Sequence, residues 1–106
     1  MTSKAGRSSE HDIAHAAMKY LATLPTGTAT TTTIKKHVPK YIKLTADDHD
    51  PSGSRPGEEV WQQVVGNIVS HRDKSPENFI SRGLIEYAGR KWTLTAAGKA
   101  YLAKHP

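Results

Sequence analysis

Apolar residues recur along this chain at two periods, and the switch between them marks the elements. From Ser9 onward, Ile13, Ala16, Ala17, Tyr20, Leu21 and Leu24 repeat at helical spacing and make one apolar face. Ser9 is placed to cap this helix, and Asp12 stands where a capping box has its acid. Pro25 and Gly27 end it. "TATTTTIKK" comes next. Threonines favour extended backbone and also cap helices. The expectation is a short strand near 28–30, then a helix from about Thr32 to Ile42 with Ile34, Val38 and Ile42 inward. Pro39 cannot donate inside a helix, so this one is expected to be short or kinked.

The stretch "LTADDHDPSGSRPGEE" has no apolar period and reads as a long, solvated loop at 44–57. A third helix is expected from about Gly57 to Arg72, with Glu58 and Glu59 at its positive end. Val60, Trp61, Val64, Val65, Ile68 and Val69 fill about half its circumference at about 100° per residue. The opposite face carries Gln63, Asn67, Ser70 and Lys74, with Gln62 to one side and Gly66 leaving room for close approach. In "SPENFISRGL", Ser75 reads as a cap and Pro76 as a first helical residue, while Phe79, Ile80 and Leu84 return to the core.

The period then becomes two. In "LIEYAGRKWTLT", pairing Ile85 with Leu94 also pairs Tyr87 with Trp92 and Ala88 with Lys91. Gly89-Arg90 is left as a two-residue turn, and glycine in its first position suits type II′. Ile85, Tyr87, Trp92 and Leu94 share one face, and Glu86, Lys91 and Thr93 the other. A lone hairpin is marginal in water, so the apolar face must lean on helices. Thr95 then caps a last helix through about Lys104, with Ala97, Ala100, Tyr101 and Leu102 available for packing. The predicted order is helix, short strand, helix, helix, hairpin, helix.

Composition narrows the function. The chain of 106 residues is one domain's worth, divided here into a flexible arm at 1–8 and a single domain at 9–106. It has no cysteine, which excludes disulfides and thiolate metal sites. No apolar run approaches the roughly 20 residues of a membrane span, and the N-terminus lacks the apolar core of a signal peptide. A cytoplasmic location with no membrane partner is expected. The net charge is +5 and unevenly spread. Acids gather at 45–59, where Asp47, Asp48, Asp50, Glu58 and Glu59 face only Arg55, and basic segments lie on either side. A basic balance favours a nucleic-acid partner.

Three helices followed by a hairpin is the winged helix-turn-helix plan: an α+β, mainly α fold of three helices, a short strand, a two-stranded wing and a C-terminal helix. In that plan the third helix enters the major groove and the hairpin tip meets phosphate. "RPGEEVWQQVVGNIVSHR", with "NFISRGLIEYAGRKWTLTAAGKAYL", also resembles the N-terminal winged-helix domain of Mrr-type restriction endonucleases. Upstream, "TTTIKKHVPKYIKLTADD" extends the likeness weakly, so it covers nearly all of the chain past residue 10. The resemblance implies DNA recognition, often on behalf of an attached nuclease. No nuclease segment follows before Pro106, so recognition without cleavage is expected.

The residues expected to contact DNA are Lys35, Lys36, Gln62, Gln63, Asn67, Ser70, His71, Lys74, Arg90 and Lys91. Glutamine and asparagine can bond adenine edges in two places, and lysine reaches guanine or phosphate. The competing reading of the helix-three stripe is a solvated face, which every amphipathic helix has. His71 suits a phosphate contact or a cap equally. Lys4 and Arg7 of the arm would add backbone contacts. Arg72 falls on the apolar side and is expected to lie over the core or pair with an acid such as Glu86. Trp61 and Trp92 are expected in the core. "HDIAH" places His11 and His15 one turn apart, as in a zinc-protease helix, but has Asp12 where that motif needs glutamate. No third ligand stands out, and both histidines fall opposite Ile13, toward water. No metal, cofactor or catalytic residue is expected. The partner is expected to be double-stranded DNA, with a protein partner or nuclease subunit as an addition. A protein-interaction module without DNA binding is the alternative. A monomer is favoured, since no exposed apolar helix marks a dimer.

Overall fold

A computed structural model describes residues 8–53 and 56–106. The arm cations Lys4 and Arg7, and Arg55, lie outside them. The elements are α1 (Glu10–Ala22), β1 (Thr28–Thr30), α2 (Thr31–His37), α3 (Val60–Ser70), β2 (Ile85–Ala88), β3 (Lys91–Leu94) and α4 (Ala96–Lys104). Short 3-10 turns occupy Val38–Lys40 and Asp47–His49. The result is an α+β fold of four helices and one three-stranded antiparallel sheet in the order β1-β3-β2. Among the described residues, no helix is long and apolar enough to cross a membrane.

Each helix starts where a side chain can take an orphan amide. Ser9 Oγ accepts from Asp12 N–H, Thr30 Oγ1 from Thr33 N–H, and Thr95 Oγ1 from Gly98 N–H. At α3 the capping box is reciprocal, Glu59 with Gln62, so the helix begins at Val60 rather than near Gly57. It ends at Ser70, two residues before the expected Arg72. The second helix is also shorter than its apolar spacing suggests. It stops at His37, and Pro39 sits in the 3-10 turn that follows.

No regular helix forms in 71–84. Asn78, 5% exposed, organises this stretch instead. Its side-chain amide donates to the Ile68 carbonyl at 2.8 Å and to Glu10 Oε2 at 3.3 Å, while its oxygen accepts from Ile80 N–H at 2.8 Å. One buried carboxamide thus ties the end of α3 to the start of α1 and folds the connection into turns.

The hairpin has the predicted register, Ile85 opposite Leu94 and Tyr87 opposite Trp92. Its turn is different. Gly89 and Arg90 have φ of 58° and 63°. Both central residues are left-handed, which is the type I′ pattern and not type II′. The strand at 28–30 pairs with β3, placing Ala29 opposite Trp92.

The core is centred on α1. Ile13, Ala17, Met18 and Leu21 are fully buried, and Ala14 and Ala16 nearly so. Ala14 and Met18 lie outside the single apolar face expected from the sequence, because α1 packs against α2, α3, α4 and β3 at once. Trp61 is 6% exposed and Trp92 fully buried, both in the core as expected. Gly98 lets α4 close onto the sheet. A β-carbon there would overlap the Leu84 carbonyl oxygen and approach Leu94 Cδ1 to 2.6 Å. Backbone cannot yield as a flexible side chain can, so Gly98→Ala is expected to destabilise the fold by about 2–3 kcal/mol. Urea unfolding checks this.

Candidate nucleic-acid interface

The long loop is not a solvated acidic excursion. Asp48 is 1% exposed, and it accepts hydrogen bonds from Ser8 N–H and Oγ, both at 2.7 Å, and from Thr45 N–H at 2.8 Å. Burial pushes its carboxyl up, but the hydrogen bonds from Thr45 and Ser8 outweigh burial and hold it below the ordinary aspartate value. Ser8, assigned to the arm, is therefore fastened to the loop. Pro51 bridges Glu59, Ser52 N–H donates to the Glu58 carbonyl, and Val60 N–H donates to the Asp50 carbonyl. The loop is laid along the N-terminal end of α3.

This packing occupies several side chains expected on DNA. Gln62 Oε1 accepts from Glu59 N–H at 2.8 Å in the capping box. Gln63 Oε1 accepts from Ser52 Oγ at 2.5 Å. Lys35 Nζ pairs with Glu58 at 2.7 Å, with both side chains at most one-quarter exposed. His71 Nδ1 lies 2.9 Å from Glu10 Oε1, so it joins α3 to α1. Glu59 is held below the usual glutamate value by its hydrogen bonds from His49 and then Trp61, against a smaller effect of burial.

Asn67, Ser70, Lys36, Lys74, Arg90 and Lys91 remain. Asn67 is half-buried, and its side chain has no hydrogen-bond partner among the described residues. Ser70 is exposed and makes only a 3.3 Å bond back to the Gly66 carbonyl. Lys36, Lys74, Arg90 and Lys91 are exposed and carry no ion pair among the described residues. Lys74 belongs to the turns after α3 rather than to the helix. Lys91 lies opposite Thr30, the cap of α2, so the hairpin's lysine stands beside the start of that helix. His37, stacked on Tyr20 with ring centroids 4.4 Å apart, is pushed below the usual histidine value by burial and then by Lys40 and Lys36. Lys36, His37 and Lys40 thus lie together at the C-terminal end of α2.

Arg72 joins the two parts. Its guanidinium lies over the Tyr87 ring at 5.5 Å and donates to the Val69 carbonyl at 2.6 Å. It therefore has a structural role, as expected, although its neighbour is Tyr87. The contact holds the C-terminal end of α3 against β2, two residues from the hairpin turn. His11 and His15 also differ from expectation. Instead of facing only water they reach toward α4: His11 Nε2 is 3.2 Å from Tyr101 Oη, and His15 Nε2 is 2.5 Å from the His105 carbonyl. No group of three or more His, Asp or Glu among the described residues is arranged to hold a metal.

Asn78, Asp48 and Ser52 were not singled out by the sequence as organisers of this surface. Their only local signal is a propensity for turns and caps, which many loop residues share. No family model, curated protein or solved structure matches the chain.

Two outcomes test this account. Asp48 contributes stability that is fully present above the ordinary aspartate value of about 3.9 and is lost as pH falls through its lower folded value. Asp48→Asn should cost about 2 kcal/mol near neutrality. The gap from the parent should narrow as acid protonates Asp48, which denaturant melts at several pH values will show. Arg90 holds a backbone region that disfavours side chains. Arg90→Gly should therefore raise stability by about 0.5–1 kcal/mol, read from the thermal midpoint.

Proposed function

We propose that this chain is a winged-helix domain that binds double-stranded DNA and catalyses nothing. The C-terminal half of α3 enters the major groove, and the β2–β3 hairpin acts as the wing on the phosphate backbone. The observation that carries the reading is the Arg72–Tyr87 contact. It brings the C-terminal end of α3 against β2, the strand that leads into the hairpin tip bearing Arg90 and Lys91. Exposed cations without acidic partners suit a polyanion, because each can release a condensed counterion. Lys36 and Lys74 extend the positive surface from α2 and from the turn after α3. The role is recognition, for transcriptional regulation or as the targeting part of a restriction-type system. The latter follows the Mrr-like residues quoted above.

A protein-binding role draws support from α4, where Ala96, Ala97, Ala100 and Ala103 are exposed. Salt separates the two readings, since an apolar interface does not weaken steeply as salt rises.

Titrating the labelled protein with a random-sequence duplex should shift the NMR signals of Asn67, Ser70, Lys74 and residues 88–91 at low salt, and the shifts should fade with added salt. Lys36→Ala and Lys91→Ala should each lower the slope of log affinity against log salt by about 1. Unmoved spectra at low salt and high duplex concentration would sink the DNA reading. Shifts confined to α4 on adding a protein partner would support the alternative.

A further inference from the structure

We infer that base discrimination by this surface rests on one residue, Asn67, and that the base it selects is adenine. This inference depends on the DNA-binding reading above. Reading adenine through a carboxamide takes both of its polar atoms: the oxygen accepts from adenine N6–H and the nitrogen donates to adenine N7. Three carboxamides lie on the accessible side of α3, and the fold treats them differently.

Gln62 accepts the amide of Glu59 through its oxygen and closes the helix cap. Using it on a base would uncap α3, at a cost typical of losing an N-terminal cap. Gln63 has its oxygen engaged by Ser52 Oγ, and Ser52 is itself held to the Glu58 carbonyl at 2.8 Å. The loop therefore withdraws Gln63 from two-point readout and covers the N-terminal half of the helix face. Asn67 lies one turn further on, beyond that cover and toward the end of α3 that Arg72 fastens to the hairpin. Its side chain has no hydrogen-bond partner among the described residues, so both polar atoms are open. Ser70 and Gly66 beside it are small and let the groove edge approach.

Ser70 turns its hydroxyl back to the Gly66 carbonyl, and the exposed cations read phosphate, which carries no sequence information. The domain therefore binds duplexes broadly, with one adenine preferred against that background.

Competition between duplexes of matched length at fixed salt tests this, one set containing A·T pairs and the other only G·C. The parent protein should favour the A·T set by roughly tenfold to a hundredfold. Replacing the adenines by 7-deazaadenine removes the N7 acceptor and keeps the base pair, and it should abolish the preference. Asn67→Ala should bind both sets equally, ignore the deaza substitution and keep the parent's salt slope. Gln63→Ala should retain the preference. A thermal melt confirms that each variant is folded, and Asn67→Ser supplies a second replacement if alanine unfolds the helix.

A preference that survives in Asn67→Ala overturns the inference. So does one that disappears in Gln63→Ala, which would move readout to Gln63. Parent binding that is salt-dependent but indifferent to base composition overturns the adenine assignment and leaves the DNA reading standing. Failure of the parent to bind any duplex at low salt removes the DNA reading itself.

Discussion

Everything in this fold is referred to the central strand β3 and its buried indole. Trp92 is fully buried and sits opposite Ala29 on one neighbouring strand and Tyr87 on the other. Its strand packs against α1, and its Nε1–H donates to Thr31 Oγ1 at 2.8 Å. That bond meets the need of a buried indole for an acceptor and fixes the start of α2. Thr31 directly follows β1, so strand pairing, indole burial and the helix cap all act on one short stretch of threonines. An aromatic side chain of this size contributes about 3 kcal/mol or more by its burial. The hairpin gains a fixed place that its own hydrogen bonds would not supply.

Polar groups fix the rest. Glu10, His71 and Asn78 form one network between α1, the end of α3 and the turns that follow. Asp48 and Ser8 form another between the loop and the entry to α1. A buried carboxylate without a cation is costly unless donors surround it. Asp48 satisfies this with two amides and a hydroxyl, so its low pKa and the order of the loop have one cause. The loop in turn occupies Gln63 through Ser52. Among the side chains expected on DNA, Asn67 and Ser70 on α3 and the exposed Lys36, Lys74, Arg90 and Lys91 take no part in these networks.

Most elements were readable because their signals are local. The helix faces of α1 and α3, the caps at Ser9 and Thr95 and the register from Ile85 to Leu94 follow from period and from side chains a few residues apart. The errors came where a local signal was incomplete. Two-residue turns of types I′ and II′ both accept glycine first, and the left-handed Arg90 is decided by strand twist. Pro76 after Ser75 looks like a helix start, yet the Asn78 amide bonds to Ile68 and Glu10 draw the chain into turns. The charged loop looked solvated because Ser8, which binds Asp48, is 40 residues away, and the hydrogen bonds that fold the loop back on α3 leave no periodic signal.

The sequence by itself determined where the helices and the hairpin lie, which aromatic residues enter the core and that the surface is basic. These depend on periodicity and composition, which survive without knowledge of long-range contacts. Only the tertiary structure decided which polar residues of α3 remain open. Gln62, Gln63, Asn67 and His71 belong to residue types that bind DNA equally well on paper. Whether each is free depends on Glu59, Ser52 and Glu10, and Ser52 and Glu10 reach α3 only after the loop and α1 have packed against it. Hydrogen bonds that satisfy buried groups are made across the fold, and they remove from the surface side chains that a linear reading counts as available.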